Sequence, residues 1–150
     1  MVKEILIYEK DKEILTQKSE RVTEINDEIK QLIQDLKDTL LQHKTGVGIS
    51  AIQIGVPKRV CLIKYNGKIY TLINPVIVRK SGSFLFEEGC LSAPGKNKKV
   101  LRAQKVWCNY TDKNGNQKQL ANGGLCSVII QHELDHFDGW CEVFSKYEEK

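Results

Sequence analysis

Residues 131–136 read Gln-His-Glu-Leu-Asp-His. His132 and His136 lie four apart, so on an α-helix they share one face, about one turn from each other. Glu133, directly after the first, reaches a water on a metal ion held between the two imidazoles, which is the physical content of the His-Glu-x-x-His pattern. Such a site needs a third protein ligand if it is to hold the ion and leave one position open for water. The remaining histidine, His43, falls at the negative end of a helical stretch and reads as a helix-terminal residue rather than a ligand.

Four residues come into question as the third ligand. Glu142 lies six residues after His136 with Gly139 between them, a spacing similar to an extended zinc-protease pattern in which a glycine turn delivers a ligand. Those proteases also carry a downstream methionine turn, whereas the only methionine here is Met1, and eight residues after Glu142 are few for the lower half of their cleft. Cys141 is close enough in sequence to close the site. Cys126 sits on the helix itself, one to two turns away, and closes it poorly. Cys90 is distant but stands in an unusual context, Phe-Glu-Glu-Gly-Cys-Leu-Ser, a strand entering a Gly-Cys turn. A thiolate with two imidazoles and one open position is a catalytic arrangement rather than a structural one.

The elements that must position these residues follow from periodicity. Asn26 suits an N-cap, Asp27 and Glu28 suit a first turn, and Ile29, Leu32, Ile33, Leu36 and Leu40 form one apolar stripe, predicting a helix over 26–42. Paired β-rich runs flank Asn66-Gly67, Ser81-Gly82 and Asn114-Gly115, three hairpin signals. The Lys96–Lys99 run reads as a solvated loop. A second helix runs from about Leu125 to Phe137, with Leu125, Val128 and Ile129 on the face of the histidines, where they can line an apolar pocket. The predicted fold is α+β: a mostly antiparallel sheet of hairpins around a central His-Glu-x-x-His helix, with one N-terminal helix.

The chain has 150 residues, the size of one domain spanning 1–150, and no repeat or linker divides it. A net charge of +4, with lysines scattered among acids, does not point to nucleic acid. No apolar run approaches the ~20 residues of a membrane span, and the N-terminus resembles neither a secretory signal nor a transit peptide. Five cysteines without a C-x-x-C pair fit a reducing compartment, so the expected location is the cytoplasm.

Taken together, these residues resemble the peptide deformylases. Gly46–Gln53, GVGISAIQ, is similar to the family's first motif; Glu88–Ser92, EGCLS, is identical to the second; His132–His136, HELDH, fits the third. The resemblance implies that Cys90, His132 and His136 bind one divalent ion, Fe(II) natively, with zinc, nickel or cobalt tolerated. It implies that Glu133 is the general acid/base and that Gln53 and the backbone N–H of Leu91 stabilise the oxyanion. The substrate would be formylmethionine at the start of nascent polypeptides, its backbone pairing strand-like along Gly46, Val47, Gly48 and Ile49. Phe86, Leu125, Val128 and Ile129 would form the pocket for its side chain, and a Glu88–Arg102 ion pair would hold the Cys90 loop. The chemistry is coherent from below: a formamide is a stable amide, and a metal brings the pKa of water from about 15.7 towards 7.

The chain departs from the family at Ser50, whose hydroxyl wants a partner, at Ile52, which adds bulk, and at Asn97, where relatives carry a basic residue or tyrosine. The ending SKYEEK is neither long nor basic, so ribosome docking through a C-terminal helix is not expected. The alternative to an active deformylase is a divergent relative that keeps the metal fold with an altered substrate or no turnover.

Overall fold

The computed structural model describes residues 1–149. A short helix, α1 (Tyr8–Leu15), comes first and is interrupted at Asp11, whose φ of −113° leaves the helical range. The Asp11 Oδ2 accepts from the Ile7 N–H at 2.9 Å, capping the start. Helix α2 (Asp27–Gln42) follows. Asn26 caps it as predicted, Oδ1 accepting from the Ile29 N–H at 3.0 Å, and the apolar stripe is buried along its length.

Strand β1 (Gly48–Ser50) leads into a 3-10 turn over Ala51–Ile54, then β2 (Val60–Tyr65) and β3 (Lys68–Ser81). Strands β4 (Phe84–Glu88) and β5 (Lys98–Arg102) form a separate two-stranded sheet. Strands β6 (Lys105–Thr111) and β7 (Gln117–Gly123) return to the main sheet, whose order is β1-β2-β3-β6-β7 with every pairing antiparallel. Helix α3 (Gly124–Phe137) and a 3-10 turn over Glu142–Tyr147 close the chain. The α+β expectation, with a mostly antiparallel sheet around the His-Glu-x-x-His helix, therefore holds; α1 is an addition ahead of the predicted helix.

Two expectations need correction. The turns at Asn66-Gly67 and Asn114-Gly115 join paired strands, but Ser81-Gly82 does not make a hairpin. There the chain leaves one sheet for the other: β3 pairs with β6, and β4 with β5. The Lys96–Lys99 run is only partly a loop, because Lys98 and Lys99 lie in β5 opposite Glu88 and Glu87. The backbone pairing with β4 and the burial of Val100 and Arg102 in the same strand override the poor strand propensity of lysine.

The sheet divides the apolar residues by strand alternation. Val60 and Leu62 of β2 pack against Leu32, Leu36 and Leu40 of α2. Cys61 and Ile63 face the other way, onto Ile129 and Ile130 of α3. A third cluster, with Tyr8, Leu15, Cys141 and Phe144, seats α1 against the C-terminal turn. Among the described residues no helix is long and apolar enough to cross a membrane, and none of the five cysteines is in a disulfide.

Candidate metal centre

Helix α3 is buried from Cys126 to Glu133, so its polar side chains must find partners inside the protein. Ser127 and Gln131 do so on one backbone unit between β5 and β6. Gln131 Oε1 accepts from the Ala103 N–H at 3.0 Å, while its Nε2 and the Ser127 hydroxyl donate to the Ala103 carbonyl at 3.0 and 2.9 Å. The helix is thereby locked in rotation, which aims its next turn.

That turn carries His132 and His136, whose ring centroids lie 5.2 Å apart. His132 Nδ1 meets Glu88 Oε1 at 2.9 Å. Glu88 is gripped in turn by Arg102, Nε to Oε2 at 2.6 Å and the second nitrogen to Oε1 at 2.8 Å, and Arg102 also donates to Asp135 Oδ2 at 2.8 Å. Burial opposes the charge on Glu88, but Arg102 and His132 outweigh it and hold the carboxyl below its usual range. This chain fixes the His132 ring so that Nε2 points inward. Asp135, absent from the sequence-based reading, shares this scaffold.

Four donor-type side chains converge there: Cys90, His132, His136 and Cys141 place one ligand atom each within 4.8 Å of one another. Cys90 Sγ stands 3.5 Å from His136 Nε2, and Cys141 Sγ stands 3.7 Å from His132 Nε2. An ion bound tetrahedrally at about 2.3 Å to sulfur and 2.0 Å to nitrogen sets adjacent sulfur and nitrogen ligands roughly 3.5 Å apart. The donor set and its spacing therefore fit a divalent metal. The two thiols are electrostatically unequal. Contact with Cys141, then burial, pushes the Cys90 thiol up, whereas the hydrogen bond from Cys90 and those with the two imidazoles hold Cys141 down against burial. Burial works against protonation of His132, yet Cys141 and Glu88 raise its pKa well above the imidazole norm. His136 Nδ1 is buried with no hydrogen-bond partner among the described residues.

Both cysteines left open by the sequence, Cys90 and Cys141, thus lie in the cluster. Glu142 does not: its Oε2 pairs with Lys98 at 3.3 Å, which removes the protease-type arrangement. Cys126 is fully buried in the α3 core, outside the cluster.

Glu133 is 3% exposed, and burial raises its pKa against the pull of the imidazoles and the Ser50 hydroxyl. Ser50 Oγ lies 3.0 Å from both the Glu133 carbonyl and Oε1, so the hydroxyl that departs from the family motif has a partner on the carboxylate. Oε2 packs on Gly48, where an added Cβ would come within 2.5 Å of it. Gln53 Oε1 accepts from the Ser50 N–H at 2.9 Å; its Nε2 donates to Ser92 Oγ at 3.0 Å and faces Cys90 Sγ at 3.7 Å. Ser92 was not singled out in the sequence, although it closes the second motif. Ile52 is fully buried, so its added bulk is absorbed inside the protein.

A cleft of about 730 Å³ opens above these groups. Gly46, Val47, Gly48, Gln53, Phe86, Cys90, Leu91, Leu125, Val128, Ile129, His132 and Glu133 all line it. The Ile49 side chain does not line it: alternation along β1 sends it into the α2 core, fully buried, which leaves only its backbone for a substrate strand, while Gly48 meets Glu133 on the other side.

A buried His-Glu-x-x-His helix set against a thiol, beneath a cleft beside an edge strand, is the framework of a metallohydrolase. The polypeptide deformylase family profile matches residues 2–146. The chain is 41% identical over 131 residues to peptide deformylase 1 of Clostridium perfringens, covering 86% of this chain and 88% of that one. It is also 41% identical over 145 residues to the peptide deformylase of Aquifex aeolicus, covering 93% and 84%. The crystal structure of the Legionella pneumophila peptide deformylase superposes with a TM-score of 0.89 at 31% identity, covering 99% and 96%. That of Synechococcus elongatus in complex with actinonin gives 0.85 at 37% identity, covering 91% and 74%. The chain belongs to the peptide deformylase family.

Proposed function

We infer that the chain is a metal-dependent hydrolase that removes the formyl group from N-terminal formylmethionine of newly made polypeptides and releases formate. The observation that carries this is the placement of the Glu133 carboxylate beside the cysteine–histidine donors under a cleft that runs along β1. The likeness to named peptide deformylases over most of the chain supports it. Cys90, His132 and His136 would hold the ion, Fe(II) natively, with zinc, nickel or cobalt as substitutes. The bound ion supplies Lewis acidity, which brings a water pKa from about 15.7 towards 7.

The protein's own groups do the rest. Glu133 Oε1 is held by Ser50, leaving Oε2 to take the proton of the attacking water and pass it to the departing amine nitrogen. Gln53 Nε2 and the Leu91 N–H donate to the formyl oxygen as charge grows on it, and a preorganised donor of this kind is worth about 3 kcal/mol. Gln53 is already immobilised through Ser50 and Ser92. Strand β1 is an edge of the sheet, and the segment Gly46–Gly48 offers a peptide backbone groups to pair with. The methionine side chain lies against Phe86, Leu125, Val128 and Ile129, with Val47 at the rim. The partners are formylmethionine-bearing nascent chains, the compartment is the cytoplasm where they are made, and residues 1–150 act as one catalytic domain.

The test is formate release from a formyl-Met-Ala-Ser peptide by wild type and Glu133→Ala, with metal content measured in both. Loss of formate release at unchanged metal content supports the assignment of Glu133. Equal formate release from both proteins overturns it.

A further inference from the structure

The proposed reaction needs three protein ligands, yet the structure brings four donors together. Cys141 is the unused one. It is fully buried, follows the Gly139-Trp140 turn, and starts the 3-10 turn whose Phe144 N–H donates to the Cys141 carbonyl at 2.9 Å. Its sulfur is directed at His132 Nε2, the nitrogen that the Glu88 contact leaves for an ion. The two sulfur–nitrogen separations, 3.5 and 3.7 Å, both lie near the roughly 3.5 Å spacing of neighbouring sulfur and nitrogen ligands in a tetrahedral site.

Position adds a second argument. Cys90, His132 and Glu133 line the cleft, whereas Cys141 and His136 are not among its lining residues. Cys141 therefore reaches the centre from the protein interior, as His136 does.

We propose that Cys141 is a fourth protein ligand, completing a closed two-cysteine, two-histidine set around the ion and competing with the cleft side for its fourth position. Sites with four protein ligands of this kind are structural, and sites with three are catalytic. The inference rests on Cys90, His132 and His136 being the other ligands.

The experiment substitutes Co(II) into wild type, Cys141→Ala, Cys141→Ser and Cys90→Ala, and reads the thiolate charge-transfer absorption and the sulfur count by X-ray absorption. Wild type is expected to show two sulfurs. Both Cys141 variants are expected to show one, with charge-transfer intensity at about half, one thiolate in place of two. They should also bind the metal less tightly, by more than the roughly 10- to 100-fold seen when an outer supporting partner is lost, and turn over faster per loaded ion. One sulfur in wild type, with spectra unchanged in the Cys141 variants and abolished in Cys90→Ala, overturns the proposal and leaves the three-ligand reading intact. Full thiolate absorption in Cys90→Ala would instead overturn the ligand set itself. Sulfur counting on wild type alone decides the matter if a variant fails to fold.

Discussion

Replacing Arg102 by methionine separates what the buried ion pair does for stability from what it does for the metal centre. The Arg102 and Glu88 side chains are 7% and 3% exposed and joined by two hydrogen bonds, at 2.6 and 2.8 Å. Arg102→Met keeps much of the side-chain volume but strands the Glu88 carboxylate in the interior. Breaking a buried pair by removing one partner costs about 3–5 kcal/mol. Asp135 also loses its partner but is 35% exposed, so water takes over much of that contact. Glu88 simultaneously loses the grip that orients His132, and loss of such an outer partner lowers metal affinity about 10- to 100-fold. In Arg102→Met/Glu88→Met no stranded charge remains, so stability is expected to return to within about 1–2 kcal/mol of wild type, as buried pairs replaced by apolar residues generally allow. Metal affinity is not expected to return, because His132 Nδ1 still lacks its acceptor. Urea unfolding and a chelator-dye competition read the two quantities. A single-variant loss below about 1 kcal/mol, the scale of an exposed pair, would refute the reasoning. So would a double variant as unstable as the sum of the two single ones.

Gly48→Ala places a Cβ 2.5 Å from Glu133 Oε2 and should lower kcat/KM by about 100-fold at unchanged metal content, the scale of misplacing a reacting group by 1 Å; normal activity would refute the contact. Gly139 has φ +82°, and an added Cβ would lie 2.3 Å from the Thr16 carbonyl oxygen, so Gly139→Ala should lose more than the about 1–2 kcal/mol of left-handed strain alone. Unaltered urea unfolding would contradict this. Asp112 is held below its ordinary value of 3.8, first by the Asn116 N–H, then by Lys118 and the Asn114 N–H, against burial. A depressed carboxyl contributes stability that is complete above its unfolded value and lost as pH falls through the folded one. The stability gap between wild type and Asp112→Ala should therefore be constant above about pH 5 and shrink below pH 3.8; a gap that widens on acidification would contradict it.

The parts of the fold that could be read from sequence are those in which local pattern and tertiary contact agree. Helix α2 combines a capping asparagine with an unbroken apolar stripe, and α3 sets its histidines on the same face as Leu125, Val128 and Ile129. Helix α1 buries only Tyr8 and Leu15 and breaks at Asp11, so its periodicity is too thin to see. Ser81-Gly82 announces a turn, but turn chemistry does not say which strand each arm pairs with, and here both arms find distant partners. Lys98 and Lys99 look like loop residues until β4 is known to lie opposite as a backbone partner. At the site, spacing made His132, Glu133 and His136 legible. Cys90 and Cys141 stood as rivals for one role because sequence separation does not reveal that a strand-end loop and a glycine turn approach the same helix face from two sides. The Ile49 side chain turns to the α2 core and not to the cleft, because a strand presents alternate residues to opposite faces.

The most direct test of the central claim is formate production by anaerobically purified, iron-loaded protein from formyl-Met-Ala-Ser, repeated after chelation and after Fe(II) is restored. The account predicts one formate for each free methionine amine, no release from the chelated protein, and recovery with the metal. Stoichiometric iron bound without any formate, or formate release that survives complete removal of the metal, would contradict it.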